Sequence, residues 1–265
     1  MAITCMAIPG ASSDMIPTKP EGLPVSQKWL IATVREAVSE TPRVKTVTLG
    51  VPGWPGHRPG QHVDIRLTAE NGYQARRSYS IASAPEDEAI ALTVERVEDG
   101  EVSDYLVNEL CAGDRFNITR PIGGHFVWTV ADGGPLFLIA GGSGIVPLMS
   151  MLRHRKRQVS RVPAALVYSC RSFEEIIYRT ELEDLASDPA LTLTITLTRS
   201  HPDSWSGPSR RVDKAMLTEA GFGPETSAQI FICGSNAIVE AASRQLVELG
   251  HDPALIKTER FGPSS

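Results

Sequence analysis

The sequence predicts an all-β plus α/β protein, with an N-terminal antiparallel β-barrel followed by a C-terminal parallel-sheet α/β domain. Two observations carry this. From residue 29 to about 130, apolar and polar residues alternate in short runs separated by turn clusters, the pattern of half-buried antiparallel strands. Beyond Ala131-Asp132-Gly133-Gly134 the apolar runs become continuous and alternate with helical stretches, as expected of strands covered by helices on both faces. The expected organisation is a disordered leader over 1–26, a barrel over 27–131 and an α/β domain over 132–265.

In the first half, strands are predicted at 30–34, 44–49, 62–67 and 89–94, with another carrying Arg77 and Tyr79. Pro52-Gly53-Trp54-Pro55-Gly56 and Pro59-Gly60 punctuate them, because proline presets φ and glycine supplies positive φ. A short helix is predicted over 103–110. In the second half, strands are predicted at 136–140, 164–168, 191–196 and 230–233, and helices at 146–158, 174–186, 212–220 and 237–249. No internal repeat is visible.

Composition narrows the function. A net charge of -5 lacks the basic excess of a nucleic-acid binder. No run approaches the roughly 18 apolar residues of a membrane span. The leader holds four prolines and three methionines without a basic start and apolar run, so it does not read as a secretory signal, and a cytoplasmic protein is expected. The six histidines have no metal-ligand spacing, so no metal is assigned. Cys5, Cys111, Cys170 and Cys233 show neither zinc-site spacing nor the Cys-x4-Cys-x2-Cys run of a plant-type cluster, so no iron–sulfur centre is expected.

Five segments carry the chemistry: Arg77-Ser78-Tyr79-Ser80-Ile81-Ala82-Ser83, Gly100-Glu101-Val102-Ser103, Gly141-Gly142-Ser143-Gly144-Ile145-Val146-Pro147, Cys233-Gly234-Ser235-Asn236 and Glu259-Arg260-Phe261. Each alone has a plain structural reading: a half-buried strand with one exposed base, a helix capped by Ser103, a tight strand-to-helix turn, a buried cysteine, an apolar anchor. In this order, from about residue 28 to about 262, they resemble the ferredoxin–NADP reductase superfamily of flavoproteins. Gly141 to Pro147 is similar to that family's Gly-Gly-Thr-Gly-Ile-x-Pro, with Ser143 replacing the threonine. Ser235 replaces the usual proline after Cys-Gly.

The resemblance implies FAD and a pyridine nucleotide. Arg77 would place its planar fork on the flavin pyrophosphate, Tyr79 would face the ring, and the Ser80 hydroxyl and Ile81 backbone would meet its edge. Val94, Arg96, Gly100, Val102 and Ser103 would complete the flavin site, with backbone N–H groups at a helix start meeting phosphate. Gly141, Gly142, Ser143, Gly144, Ile145 and Pro147 would admit the nucleotide pyrophosphate. Cys233 and Gly234 would lie beside the nicotinamide with Glu259 nearby, and Phe261 would cover the flavin face opposite Tyr79. Ser80, Cys233 and Glu259 are the implied catalytic residues. Arg171, Arg199 and Arg210, at or after strand ends, would meet a 2'-phosphate and favour NADPH over NADH. The basic run Arg153-His154-Arg155-Lys156-Arg157 reads as the solvated end of a helix.

The expected activity is an FAD-dependent NAD(P)H reductase. Because the chain stops four residues after Phe261, its one-electron carrier is expected to be a separate protein, a ferredoxin or an oxygenase component. A small-molecule acceptor, or service as an electron-transfer subunit of a larger complex, remains an alternative.

Overall fold

The computed structural model describes residues 29–261, so the expected leader lies outside the described residues. Six strands form the first sheet: β1 (Leu30–Thr41), β2 (Val44–Gly50), β3 (His62–Thr68), β4 (Gln74–Ser80), β5 (Ile90–Glu95) and β6 (Arg115–Ile118). Their order is β4-β3-β6-β1-β2-β5, with every pairing antiparallel. Register shifts between Val34 and Glu36 and between Ser39 and Thr41 mark irregularities in β1, of the kind that bends a strand around a barrel. A bridge between Ile81 and Leu92 joins the chain leaving β4 to β5 and brings the two sheet edges together. Ala32, Leu49, Val63, Ile81, Leu92 and Ile118 fill the interior.

β6 was not among the predicted strands. It has four residues, bears a charge at Arg115, and gains its ladder only from β1 and β3. The predicted helix over 103–110 begins earlier, with α1 (Glu101–Asp104) continuing into a π-helical turn (Tyr105–Glu109).

The second sheet is parallel, with order β11-β10-β7-β8-β9. Its strands are β7 (Leu136–Gly141), β8 (Ala164–Cys170), β9 (Leu191–Leu197), β10 (Gln229–Gly234) and β11 (Ile256–Arg260). Between them lie α2 (Ile145–Arg157), α3 (Arg179–Leu185), α4 (Lys214–Ala220) and α5 (Asn236–Glu248). Chain order runs outward from β7 through β8 to β9, then returns to β10 on the other side. The order therefore reverses between β7 and β10, and the crevice beyond their carboxyl ends is where such sheets bind ligands.

α3 starts five residues later than the predicted helix, because Tyr178 adopts a left-handed backbone (φ 59°) that interrupts helical continuity. β11 was missed because Ile-Lys-Thr-Glu-Arg looks polar, and its pairing comes wholly from β10.

The two halves share one apolar cluster. Val44, Ala82, Phe126 and Trp128 pack with Leu138, Val146, Met149, Tyr168 and Phe231. Phe126 meets Phe231 edge-on at 5.2 Å, a favoured aromatic geometry.

Candidate functional site

β4 supplies the flavin-side motif. Arg77 is exposed, its Nη1 donating to the Arg76 carbonyl at 2.7 Å. Tyr79 is half-buried opposite Val63, and burial pushes its phenol pKa upward. Ser80 lies directly across the ladder from His62, which puts the two side chains on one face of the sheet. Its hydroxyl is buried and has no hydrogen-bond partner. Such an orphan costs about 1–3 kcal/mol unless something supplies a partner. Ile81 is fully buried and leads into Ala82 and Ser83.

The expectation that Ser103 caps α1 is corrected. Gly100 occupies the cap, and Ser103 sits inside the helix. The Ser103 hydroxyl donates to the Gly100 carbonyl at 3.0 Å and accepts the Val97 N–H at 3.1 Å. A Cβ on Gly100 would stand 2.4 Å from that hydroxyl, so the loop closes tightly only with glycine. Val94 and Val102 point into the barrel core, each 1% exposed, and can offer a ligand only backbone. Arg96 is exposed and lies 3.7 Å from Asp104.

At the switch point of the second sheet, the glycine-rich turn rests on the Cys233-Gly234 backbone. A Cβ on Gly144 would come within 2.1 Å of the Cys233 carbonyl oxygen, so this contact excludes any larger residue. Gly142 has φ 55° and Gly234 φ 156°, both in the region that favours glycine. Ile145 and Pro147 are buried at the start of α2, and Gly141 and Ser143 are half-buried. Two motifs about ninety residues apart in sequence thus form one crevice.

Cys233 has no exposed surface and pairs in register with Ala140 on one side and Glu259 on the other. Burial, and then the nearby Glu259 charge, push its thiol well above the usual range. A thiol so held is neutral near pH 7, which suits positioning rather than nucleophilic attack. Burial raises the Glu259 carboxyl to about 7. Its Oε2 is buried without a partner, and Oε1 lies 3.9 Å from His62 Nδ1. The Phe261 N–H donates to the Gly234 carbonyl at 3.0 Å, which brings that half-buried ring to the same crevice.

Neighbour by neighbour, Ser80 is joined to His62, His62 to Glu259, and Glu259 to Cys233. The three residues implied to be catalytic converge where barrel and parallel sheet meet. The orphan Ser80 hydroxyl, the glycine-only turn and the neutral thiol fit a flavin edge meeting a nucleotide.

The strand-end arginines separate into two kinds. Arg171 and Arg199 are exposed and adjacent, the Arg199 N–H donating to the Arg171 carbonyl at 2.9 Å. Arg210 instead gives its Nε to Asp213 at 2.6 Å, and Asp213 also caps α4 by accepting the Met216 N–H.

The basic run on α2 overturns the reading of a solvated helix end. Arg155 is 2% exposed and His154 8%, and only Lys156 and Arg157 of the run are exposed. Arg153 donates to the Ala82 carbonyl at 2.7 Å and to Glu181, and its guanidinium lies 4.5 Å from the Tyr178 ring centroid. His154 pairs with Glu86 at 2.7 Å, Arg157 with Asp87, and Arg155 with Asp188. Ser150 donates to the Ser83 carbonyl at 2.7 Å. The contacts to Ala82, Ser83, Glu86 and Asp87 join the domains because α2 packs on the loop leaving β4, a proximity no local pattern reveals, whereas the Arg155–Asp188 pair lies within the α/β half. The same holds for His62, which sequence reading passed over among six scattered histidines.

Comparison with known proteins agrees with the two-part fold. Residues 32–128 match the oxidoreductase FAD-binding domain and residues 138–244 the oxidoreductase NAD-binding domain. A protein from Sorangium cellulosum named ferredoxin–NADP reductase B is 36% identical over 213 residues, spanning 76% of this chain and 84% of that one. The chain belongs to the ferredoxin–NADP reductase superfamily. It is an FAD-dependent NAD(P)H oxidoreductase. The ferredoxin reductase component of a 3-ketosteroid-9-alpha-monooxygenase from Mycobacterium tuberculosis is 29% identical over 85% of this chain, which spans 63% of that relative's length. The FAD/NAD-binding domain of a nitric oxide dioxygenase from Vibrio cholerae superposes with a TM-score of 0.79 at 25% identity, covering 88% of this chain and 99% of that one. Among the described residues, no helix is long and apolar enough to cross a membrane, and no cluster of side chains could hold a metal.

Proposed function

We propose that this superfamily member passes electrons from NADPH, one at a time, to a separate carrier protein such as a ferredoxin or an oxygenase component. Bound FAD supplies the conversion between two-electron and one-electron chemistry. Arg77 and the Gly100–Ser103 loop would hold its pyrophosphate, with backbone contributed by Val94 and Val102 and charge by Arg96. Tyr79 and Phe261 would cover the flavin ring, and the Ser80 hydroxyl would donate to its edge. Gly141 to Gly144 and Gly234 admit the nucleotide, while Cys233 packs beside the nicotinamide. Holding the reacting atoms in line is the main contribution of these side chains.

The observation that carries the reading is the buried, unpartnered Ser80 hydroxyl at the junction with Glu259 and Cys233. The relatives named for ferredoxin and monooxygenase systems support a protein acceptor. Exposed Arg171 and Arg199 support NADPH through the extra phosphate.

The test is anaerobic titration of the flavin-loaded protein with NADPH, followed by mixing with oxidised ferredoxin. Heat should release FAD from the protein, and the reduced protein should reduce ferredoxin faster than free flavin or quinone. Release of FMN alone, or a faster reaction with the small acceptors, would reject the corresponding part of the proposal.

A further inference from the structure

We infer that Ser150 and Arg153 of α2 are positioning residues for hydride transfer, holding the flavin-edge segment Ala82-Ser83 in fixed register with the glycine-rich turn that opens the same helix. The inference deepens the proposed function and rests on it. Each residue acts through the backbone it grips rather than by touching the flavin or the nucleotide.

The segment leaving β4 is held from two sides. The barrel satisfies its N–H groups: Ile81 donates to the Gln61 carbonyl at 2.9 Å, and Ala82 to the Ala91 carbonyl at 2.8 Å. Two of its carbonyls are claimed from α2. Arg153 Nη1 donates to the Ala82 oxygen at 2.7 Å, and the Ser150 hydroxyl to the Ser83 oxygen at 2.7 Å. His57 Nε2 also lies 3.1 Å from the Ser83 oxygen. The peptide planes just beyond Ser80 therefore take their tilt from the α/β half as well as from the barrel.

Both donors are held for this task. Ser150 is fully buried, flanked in sequence by buried Met149 and Met151, and its hydroxyl reaches off the helix to Ser83. Arg153 has all three guanidinium nitrogens engaged, Nε and Nη2 on Glu181 and Nη1 on Ala82, with the Tyr178 ring centroid 4.5 Å away. The Glu181 carboxylate offsets its charge, so what Arg153 transmits is position rather than field. The two residues are three apart and share a face of α2. Gly142–Gly144 run directly into the helix, and Arg153 stands about 12 Å along the axis from Ile145 at 1.5 Å per residue. One rod thus carries the nucleotide turn at its start and the flavin-edge donors on its body. Misdocking the segment against the helix becomes an error in the distance between the reacting atoms, and about 1 Å of such error can cost roughly 100-fold in rate.

The test uses FAD-loaded Ser150→Ala and Arg153→Lys. The first removes one donor from the helix with little change of volume, and the second keeps the cation but loses the planar fork. Stopped-flow reduction by NADPH, and in parallel by NADH, gives a nucleotide Kd and a limiting rate. The Kd should stay within about twofold, because the glycine-rich turn is untouched, while the limiting rate falls about tenfold in each variant. The visible band of the oxidised flavin should shift in Ser150→Ala, because hydrogen bonding at the ring edge has moved. Wild-type limiting rates and flavin spectra in both variants, whatever their Tm, overturn the inference and leave the pair a structural staple between the domains. A weaker Kd at an unchanged limiting rate overturns it as well. Wild-type protein that binds no flavin, or whose flavin neither nucleotide reduces, would instead reject the proposed function and the inference with it.

Discussion

Arg153→Met is the most searching perturbation of the domain junction. It keeps much of the apolar stem and removes the guanidinium that binds the Ala82 carbonyl, Glu181 and the Tyr178 ring. The charge-assisted bond to a carbonyl contributes about 1.5–3 kcal/mol. The cation–π contact adds about 0.5–1 kcal/mol. The ion pair is discounted, because Glu181 is about one-third exposed and can be rehydrated, which leaves roughly 0.5–1 kcal/mol. The expected loss is therefore about 3 kcal/mol, equivalent to a Tm lower by roughly 6–12 °C for a chain of this size. Differential scanning calorimetry of the FAD-loaded protein would measure it. Glu181→Gln should cost only about 1 kcal/mol, since Arg153 keeps the other two partners. A Tm drop under about 3 °C for Arg153→Met, or equal effects of the two substitutions, would show that the domains are held together elsewhere.

Other expectations follow from the crevice. The Glu259 carboxyl has a folded-state pKa raised from 4.5 to about 7 by burial, so its neutral form is the stable one in the folded protein. Its contribution is present below about pH 4.5 and is lost as pH rises through 7; Glu259→Gln should gain up to about 3 kcal/mol relative to wild type across that window, read by urea unfolding at each pH. Parallel pH profiles would refute it. Arg171→Ala should lower kcat/KM for NADPH about tenfold and leave NADH nearly unchanged, and equal losses for both would remove Arg171 from the 2'-phosphate site. Phe261→Ser should tighten nicotinamide binding by uncovering the flavin face, measurable as a lower Kd for NADP+ by difference spectroscopy, and an unchanged Kd would place the ring elsewhere.

The barrel and the parallel sheet could both be read from the chain because strand periodicity is local. The alternating burial that opens β1 and the continuous apolarity of β7 each express how many faces of a strand are buried. The glycine-rich turn was equally legible, since its lack of side chains is written directly in sequence and is required where Gly144 meets Cys233. Elements whose stability comes from a distant partner were not legible. β6 and β11 are short and polar, and they become strands only because neighbouring ladders receive them. The helix over 174–186 lost its first turn to a left-handed Tyr178, whose hydroxyl bonds Thr93 across the junction.

The same distinction governs the site. Sequence alone established which chemical groups the molecule carries: a guanidinium, a phenol and a hydroxyl on one strand, glycines after another, and a Cys-Gly and a Glu near the end. Those identities are properties of residues and their spacing. Tertiary structure alone decided that Arg153 and His154 of α2 face the barrel's Ala82 and Glu86, that Arg210 is given to Asp213, and that His62 stands between Ser80 and Glu259. Burial, charge and pKa depend on what packs against a group from elsewhere in the chain, and strand order and register set those neighbours.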